Sequence, residues 1–167
     1  MIRAEGAFVQ CERPLGAHVY GMSRPTLMPR LVVAGAADAI AFYRAVFGAR
    51  ELERYTMPEG PIVHAALAIG DAVIGLTDAK PAFHNRDPKD LGGSPVILTL
   101  EVDDPDAVAR EAVKRGAKII FPIQDHFYGH REGRIEDPFG HMWILSKVIE
   151  TLSPDEIQRR VDAFGKE

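Results

Sequence analysis

Only one cysteine, Cys11, occurs in the 167 residues of this chain. Its isolation excludes an intrachain disulfide and a cysteine-built zinc or iron–sulfur centre, and leaves no mark of an oxidising compartment. No apolar run approaches the roughly 20 residues that span a bilayer, and the N-terminus lacks the continuous apolar stretch of a signal peptide. The cytoplasm is therefore the expected location, with no membrane partner. A surplus of positive charge is missing as well: 20 Lys and Arg stand against 24 Asp and Glu, a formal net charge of −4. The arginines are scattered, so no basic stripe could neutralise a run of phosphates, and nucleic acid drops out as a partner. Cys11 itself, between Gln10 and Glu12, lacks the electropositive setting that activates a thiol.

What is present is an ordinary globular composition, 46% hydrophobic and 26% charged, enough for one compact domain or two half-domains sharing a core. The chain repeats itself. Asp38 to Arg50, DAIAFYRAVFGAR, reads without a gap against Asp106 to Lys118, DAVAREAVKRGAK, at an offset of 68 residues. Each copy opens on an acidic residue, carries apolar residues at helical spacing and ends at a glycine, Gly48 or Gly116, placed to cap a helix. A strand-like run precedes each helix (27–33 and 95–102), and three more follow it. In the first copy these are 51–56, 62–69 and 72–77; in the second, 119–123, 131–136 and 141–147. The pattern predicts an α+β protein of two tandem βαβββ modules whose curved mixed sheets enclose a cavity. Residues 25–78 form module one, 79–94 a linker rich in proline and glycine, and 95–150 module two. Residues 1–24 read as an irregular arm. Residues 151–167 read as a C-terminal helix, with Ser153 as N-cap and Pro154 at its first position.

The helix AIAFYRAVFGA together with DPFGHMWIL in the last hairpin resembles the vicinal oxygen chelate superfamily, of the glyoxalase and bleomycin-resistance type. The run QDHFYGHREGRIEDPFGHMW is similar to its PhnB-like subgroup. The resemblance implies a homodimer and a cavity that holds either a metal-dependent active site or a sequestered small molecule. In metal-dependent members, His or Glu on the first and fourth strands of each unit ligate the ion. Carried onto this sequence, those positions fall at Met28, Gly75, Ile97 and Ile144, anchored respectively on 40–43, 72–74, 102–103 and 137–140. A thioether, a hydrogen and two alkyl groups give a divalent cation no ionic ligand. The expectation is thus no metal and no cofactor, with these residues lining an apolar cavity.

Polar candidates remain. His64 lies on a strand where alternation could aim it into the cavity, and it would titrate near neutrality, though a lone strand histidine also serves structure. Asp125, His126, Tyr128, His130 and Arg131 cluster between two strands of module two. Tyr128 and Arg131 could present an aromatic face and a planar cation to a carboxylate or carbonyl; alternatively Asp125 pairs with Arg131 simply to hold the loop. The spacing of His126 and His130 suits a helix face, which this glycine-containing segment is not. Residues 137–140 read as a structural turn, and Trp143 as packing under the helices. Two functional readings follow. One is a metal-free homodimer binding a small apolar or aromatic molecule. The other is a lyase, isomerase or dioxygenase-type enzyme using His64 or the 125–131 loop, with or without a divalent metal. A structural or regulatory role ranks behind both.

Overall fold

In the computed structural model, which describes residues 27–164, the first unit runs β1 (Arg30–Val33), α1 (Ala36–Phe47), β2 (Arg50–Thr56), β3 (Ile62–Ile69) and β4 (Ala72–Asp78). The second runs β5 (Ile97–Glu101), α2 (Pro105–Lys114), β6 (Lys118–Asp125), β7 (His130–Glu136) and β8 (Met142–Val148), and α3 (Pro154–Phe164) follows. The strand orders are β1-β4-β3-β2 and β5-β8-β7-β6. In each sheet the first strand is parallel to the fourth and the other neighbours are antiparallel. The expected α+β architecture of two βαβββ units therefore holds in element order and in pairing, with two separate sheets. The expected arm over 1–24, and Cys11 within it, lie outside the described residues.

The identities in the repeat have a physical role. Gly48 ends α1 at a φ of 65°, where a residue with a Cβ would be strained, and this lets Ala49 N–H donate to Tyr43 O at 3.1 Å. Ala117 N–H reaches Ala112 O at 3.0 Å in the same way beyond Gly116. The helix starts differ. Asp104 caps α2 by accepting from Ala107 N–H at 2.9 Å, ahead of Pro105. The N-terminus of α1 is served from the neighbouring strand: Asp78, at the end of β4 beside Val33, accepts from the N–H groups of Gly35, Ala36 and Ile62.

Strand alternation divides each sheet into a helix-covered face and an opposite face, which is open in the second unit. Leu31, Val33, Leu67, Ile74 and Leu76 are buried against Ala39, Ile40 and Tyr43 of α1; Ile135, Trp143 and Leu145 share the same core with Ala109 and Ala112 of α2. The two covered faces meet through rings. Trp143 lies against Tyr43 and Phe47 with centroids 5.6 and 4.7 Å apart, and Phe42 meets Phe139 edge-on at 6.1 Å. A buried carboxylate ties the seam. Asp137, 2% exposed, accepts from Tyr43 Oη at 2.6 Å and Trp143 Nε1 at 2.9 Å through Oδ2, and from the N–H groups of Phe139 and His141 at 2.9 Å through Oδ1. His141 Nε2 adds a hydrogen bond to Val32 O of β1 at 3.1 Å. With both cores consumed at this seam, each unit keeps its other sheet face for the site.

Candidate functional site

On module one the face turned away from α1 carries the residues that alternate with the core set, and His64, Ala66, Gly75 and Thr77 on it are buried. Arg30 pairs with Gly75, Gly75 with Ala66 and Ala66 with Glu53, in one row across β1, β4, β3 and β2. A side chain at Gly75 would begin 3.4 Å from the Met28 methyl and 3.6 Å from Arg30 Nε, so the Met28 and Gly75 positions are neighbours. Beside this row, Arg30 Nη2 lies 3.1 Å from His64 Nδ1, and His64 Nε2 lies 2.9 Å from Glu53 Oε1. A guanidinium only donates, so Nδ1 accepts and the imidazole proton sits on Nε2, facing Glu53. Tyr55 stacks on the imidazole with centroids 5.7 Å apart, and its hydroxyl donates to Glu53 Oε2 at 3.2 Å. Buried His64 is thus held between a cation and a carboxylate, an arrangement that fixes the orientation of the ring.

Module two places different chemistry on the equivalent face. Ile97 pairs with Met142, and Ile144 with Thr99 and Arg134, which puts the second pair of expected ligand positions on the open side. Glu132 accepts from Tyr128 Oη and Ser146 Oγ, both at 2.8 Å. Since Ser146 gives its proton to Glu132, His130 Nδ1, 2.9 Å away, donates to Ser146 Oγ, making a chain that ends on the carboxylate. His126 stacks on Tyr128 at 4.9 Å. Burial first, then the hydrogen bond and charge of Glu132, push the Tyr128 hydroxyl up to about 12, so it remains a donor at neutral pH.

The 125–131 cluster is therefore divided by the fold. Tyr128, His126 and His130 gather around Glu132 on the open side. Arg131 alternates to the helix side, where Nε and Nη2 bind Asp106 of α2 at 2.7 and 2.9 Å and Nη1 binds Asp125 at 2.7 Å. These hydrogen bonds hold the Asp106 carboxyl below its ordinary range. Arg131→Ala is expected to lower the melting temperature while leaving ligand affinity unchanged, as thermal unfolding and titration of the same variant would establish. The loop is also braced from behind. Arg160 of α3 donates to Phe127 O at 2.9 Å and pairs with Glu150, and Phe164 stacks on Phe127 at 4.9 Å. Arg30, Glu53, Tyr55, Glu132, Ser146 and Arg134 were not among the residues singled out from sequence. The alternation of Glu132 and Arg134 with Gly133 and Ile135 was the available signal.

The donor set can be tested against a divalent metal. Met28, Gly75, Ile97 and Ile144 supply no anionic or imidazole donor, and among the described residues no three His, Cys, Asp or Glu side chains gather closely enough to hold an ion. Among the described residues His64 pairs with Glu53, and His130 with Glu132. The residues described do not fit the metal centre implied by the resemblance.

Comparisons with known proteins agree with the architecture. The model of a family described as the Glyoxalase/Bleomycin resistance protein/Dioxygenase superfamily matches residues 25–145. An uncharacterized protein of Mycobacterium bovis is 40% identical over 144 residues, covering 84% of this chain and 95% of its own length. Among solved structures, the PhnB protein of Bacillus cereus superposes with a TM-score of 0.58 at 17% identity, covering 74% of this chain and all of its own. A fosfomycin resistance protein of Listeria monocytogenes, solved with manganese(II) and sulfate, gives 0.60 at 13% identity, covering 84% of this chain and 99% of its own. At these identities the two structures speak for the fold.

Proposed function

This chain belongs to the glyoxalase/bleomycin resistance protein/dioxygenase superfamily, and from that premise we propose that it binds a small planar, amphipathic molecule without a metal ion, in cavities, on the sheet faces turned away from the helices, that a second copy completes. The observation that carries this reading is the set Met28, Gly75, Ile97 and Ile144 on those faces, where metal-dependent relatives would need ionic ligands. Large apolar groups support it: Phe121 is 56% and Ile97 40% exposed, surface that a monomer gains little by leaving in water.

The purified protein is expected to hold no stoichiometric transition metal, and a chelator should leave its melting temperature unchanged, because no metal-binding energy is linked to folding. About one tightly held metal per subunit by elemental analysis would overturn the reading. Sedimentation at micromolar concentration should give a dimer, and a thermal-shift screen of planar aromatic acids, amides and alcohols should yield ligands.

A second reading is favoured by the Arg30–His64–Glu53 chain, which sets an imidazole beside a carboxylate. If it acts on an acidic C–H bond, carbonyl ligands from the screen should exchange that proton for deuterium in heavy water with the native protein and not with His64→Gln. Equal exchange in both would remove His64 from any chemistry.

A further inference from the structure

Resting on the proposed binding function, the structure assigns a ligand class to module two: we propose that Arg134 takes a carboxylate or phosphate oxygen of a ligand whose planar apolar body lies over Phe121, Ile144 and Ile97. Arg134 stands at the middle of the open face, paired with Phe121 of β6 on one side and Ile144 of β8 on the other. Its guanidinium carbon lies 5.1 Å from the centroid of the Phe121 ring, which fixes the plane of the group. Its Nε is buried with no hydrogen-bond partner, and its guanidinium makes no hydrogen bond or ion pair among the described residues.

Flanking carboxylates do not answer it. Glu136 pairs with Lys118 Nζ at 2.9 Å, and both oxygens of Glu132 accept from Tyr128 and Ser146. Four other arginines, Arg54, Arg115, Arg131 and Arg160, reach carboxylates within 3 Å. A buried N–H without an acceptor costs stability, so a site that keeps one on this face is prepared for an acceptor from outside. The fork geometry of arginine suits a planar or tetrahedral oxyanion, whereas a neutral ligand would leave the group unmatched. In module one the same position is Ala66, paired with Gly75 and Glu53 as Arg134 is with Ile144 and Phe121. At this repeat position the arginine therefore occurs in one unit only.

The test is calorimetry of the full-length protein with 2-naphthoate, 2-naphthyl phosphate and the neutral 2-naphthamide, on the native chain, Arg134→Met and Arg134→Lys. At least one of the two acids should bind about tenfold or more tightly than the amide, as a charge-assisted bidentate contact provides; whichever it is identifies the oxyanion. Arg134→Met should abolish that preference without lowering the melting temperature of the ligand-free protein, and Arg134→Lys should retain part of it. If the amide binds as well as both acids, and Arg134→Met changes nothing, the inference fails while the binding function stands. If none of the three binds, both fail. A large loss of melting temperature in ligand-free Arg134→Met would make Arg134 structural and overturn the proposal.

Discussion

Asp137→Ala is expected to lower the melting temperature by roughly 8–16 °C, corresponding to a loss of about 4 kcal/mol in a chain of this size. The carboxylate removed is almost wholly buried and accepts four hydrogen bonds, two from side chains and two from the backbone of its own turn. Alanine would leave the Tyr43 hydroxyl and the Trp143 indole N–H buried without an acceptor, and stranding donors costs more than the bonds themselves contribute. The damage falls on the seam between the two units, since Tyr43 belongs to α1 and Trp143 to β8. Tyr43→Phe removes one of these donors and should cost about 1–2 kcal/mol. Combined with Asp137→Ala it should add little, because the two share one network. Alkaline titration gives an independent signature. Burial, then the charge and hydrogen bond of Asp137, hold the Tyr43 hydroxyl well above its ordinary value. The folded state thus keeps this proton more tightly than the unfolded chain, whose tyrosine ionises near pH 10. The corresponding stability is fully present below about pH 10 and is lost as pH rises toward the folded value. The advantage of the native chain over Tyr43→Phe should therefore shrink above pH 10. A pH-independent difference would refute this account.

Gly133→Ala should lower the melting temperature by about 6–12 °C, from roughly 3 kcal/mol of overpacking that has no flexible neighbour to absorb it. An added Cβ would stand 2.7 Å from Phe121 O and from the carbonyl carbon and oxygen of Pro122. These are backbone atoms of β6, where the pairing with β7 shifts register on either side of Phe121. The irregular strand approaches closely because position 133 has no side chain. Relief would require β6 to move away, carrying Phe121 off Arg134 and disturbing the row that holds Glu132. Thermal unfolding gives the cost, and amide exchange along β6 and β7 would locate it. Unaltered exchange there would mean that the strand does not need the glycine.

The architecture was legible in the chain because its signals are local. The ungapped repeat, the helical spacing ending at Gly48 and Gly116, and the β3 run Ile62–Ile69 depend on periodicity and backbone preference within a dozen residues. Helix α1 nevertheless begins two residues before Asp38, because Asp78 of β4, 42 residues beyond Ala36 in the chain, receives its first N–H groups. The site was less legible. His64, Tyr128 and His126 were visible as residue types, but their significance comes from Glu53 and Glu132, which look in sequence like ordinary strand carboxylates. Arg131 presented itself as a ligand contact because a planar cation beside Tyr128 suits one. Its principal partner, Asp106, lies on α2, 25 residues away.

The sequence by itself determined the two βαβββ units, the glycines that end their helices and the inert character of Met28, Gly75, Ile97 and Ile144, since each follows from residue type and short-range spacing. Tertiary structure alone decided that Arg131 turns to the helix and Arg134 to the open face, that Asp137 receives Tyr43 from 94 residues away, and that His64 rests between Arg30 and Glu53. The reason is physical: successive strand residues point to opposite faces, and which face stays open is settled only when the helices pack against the other.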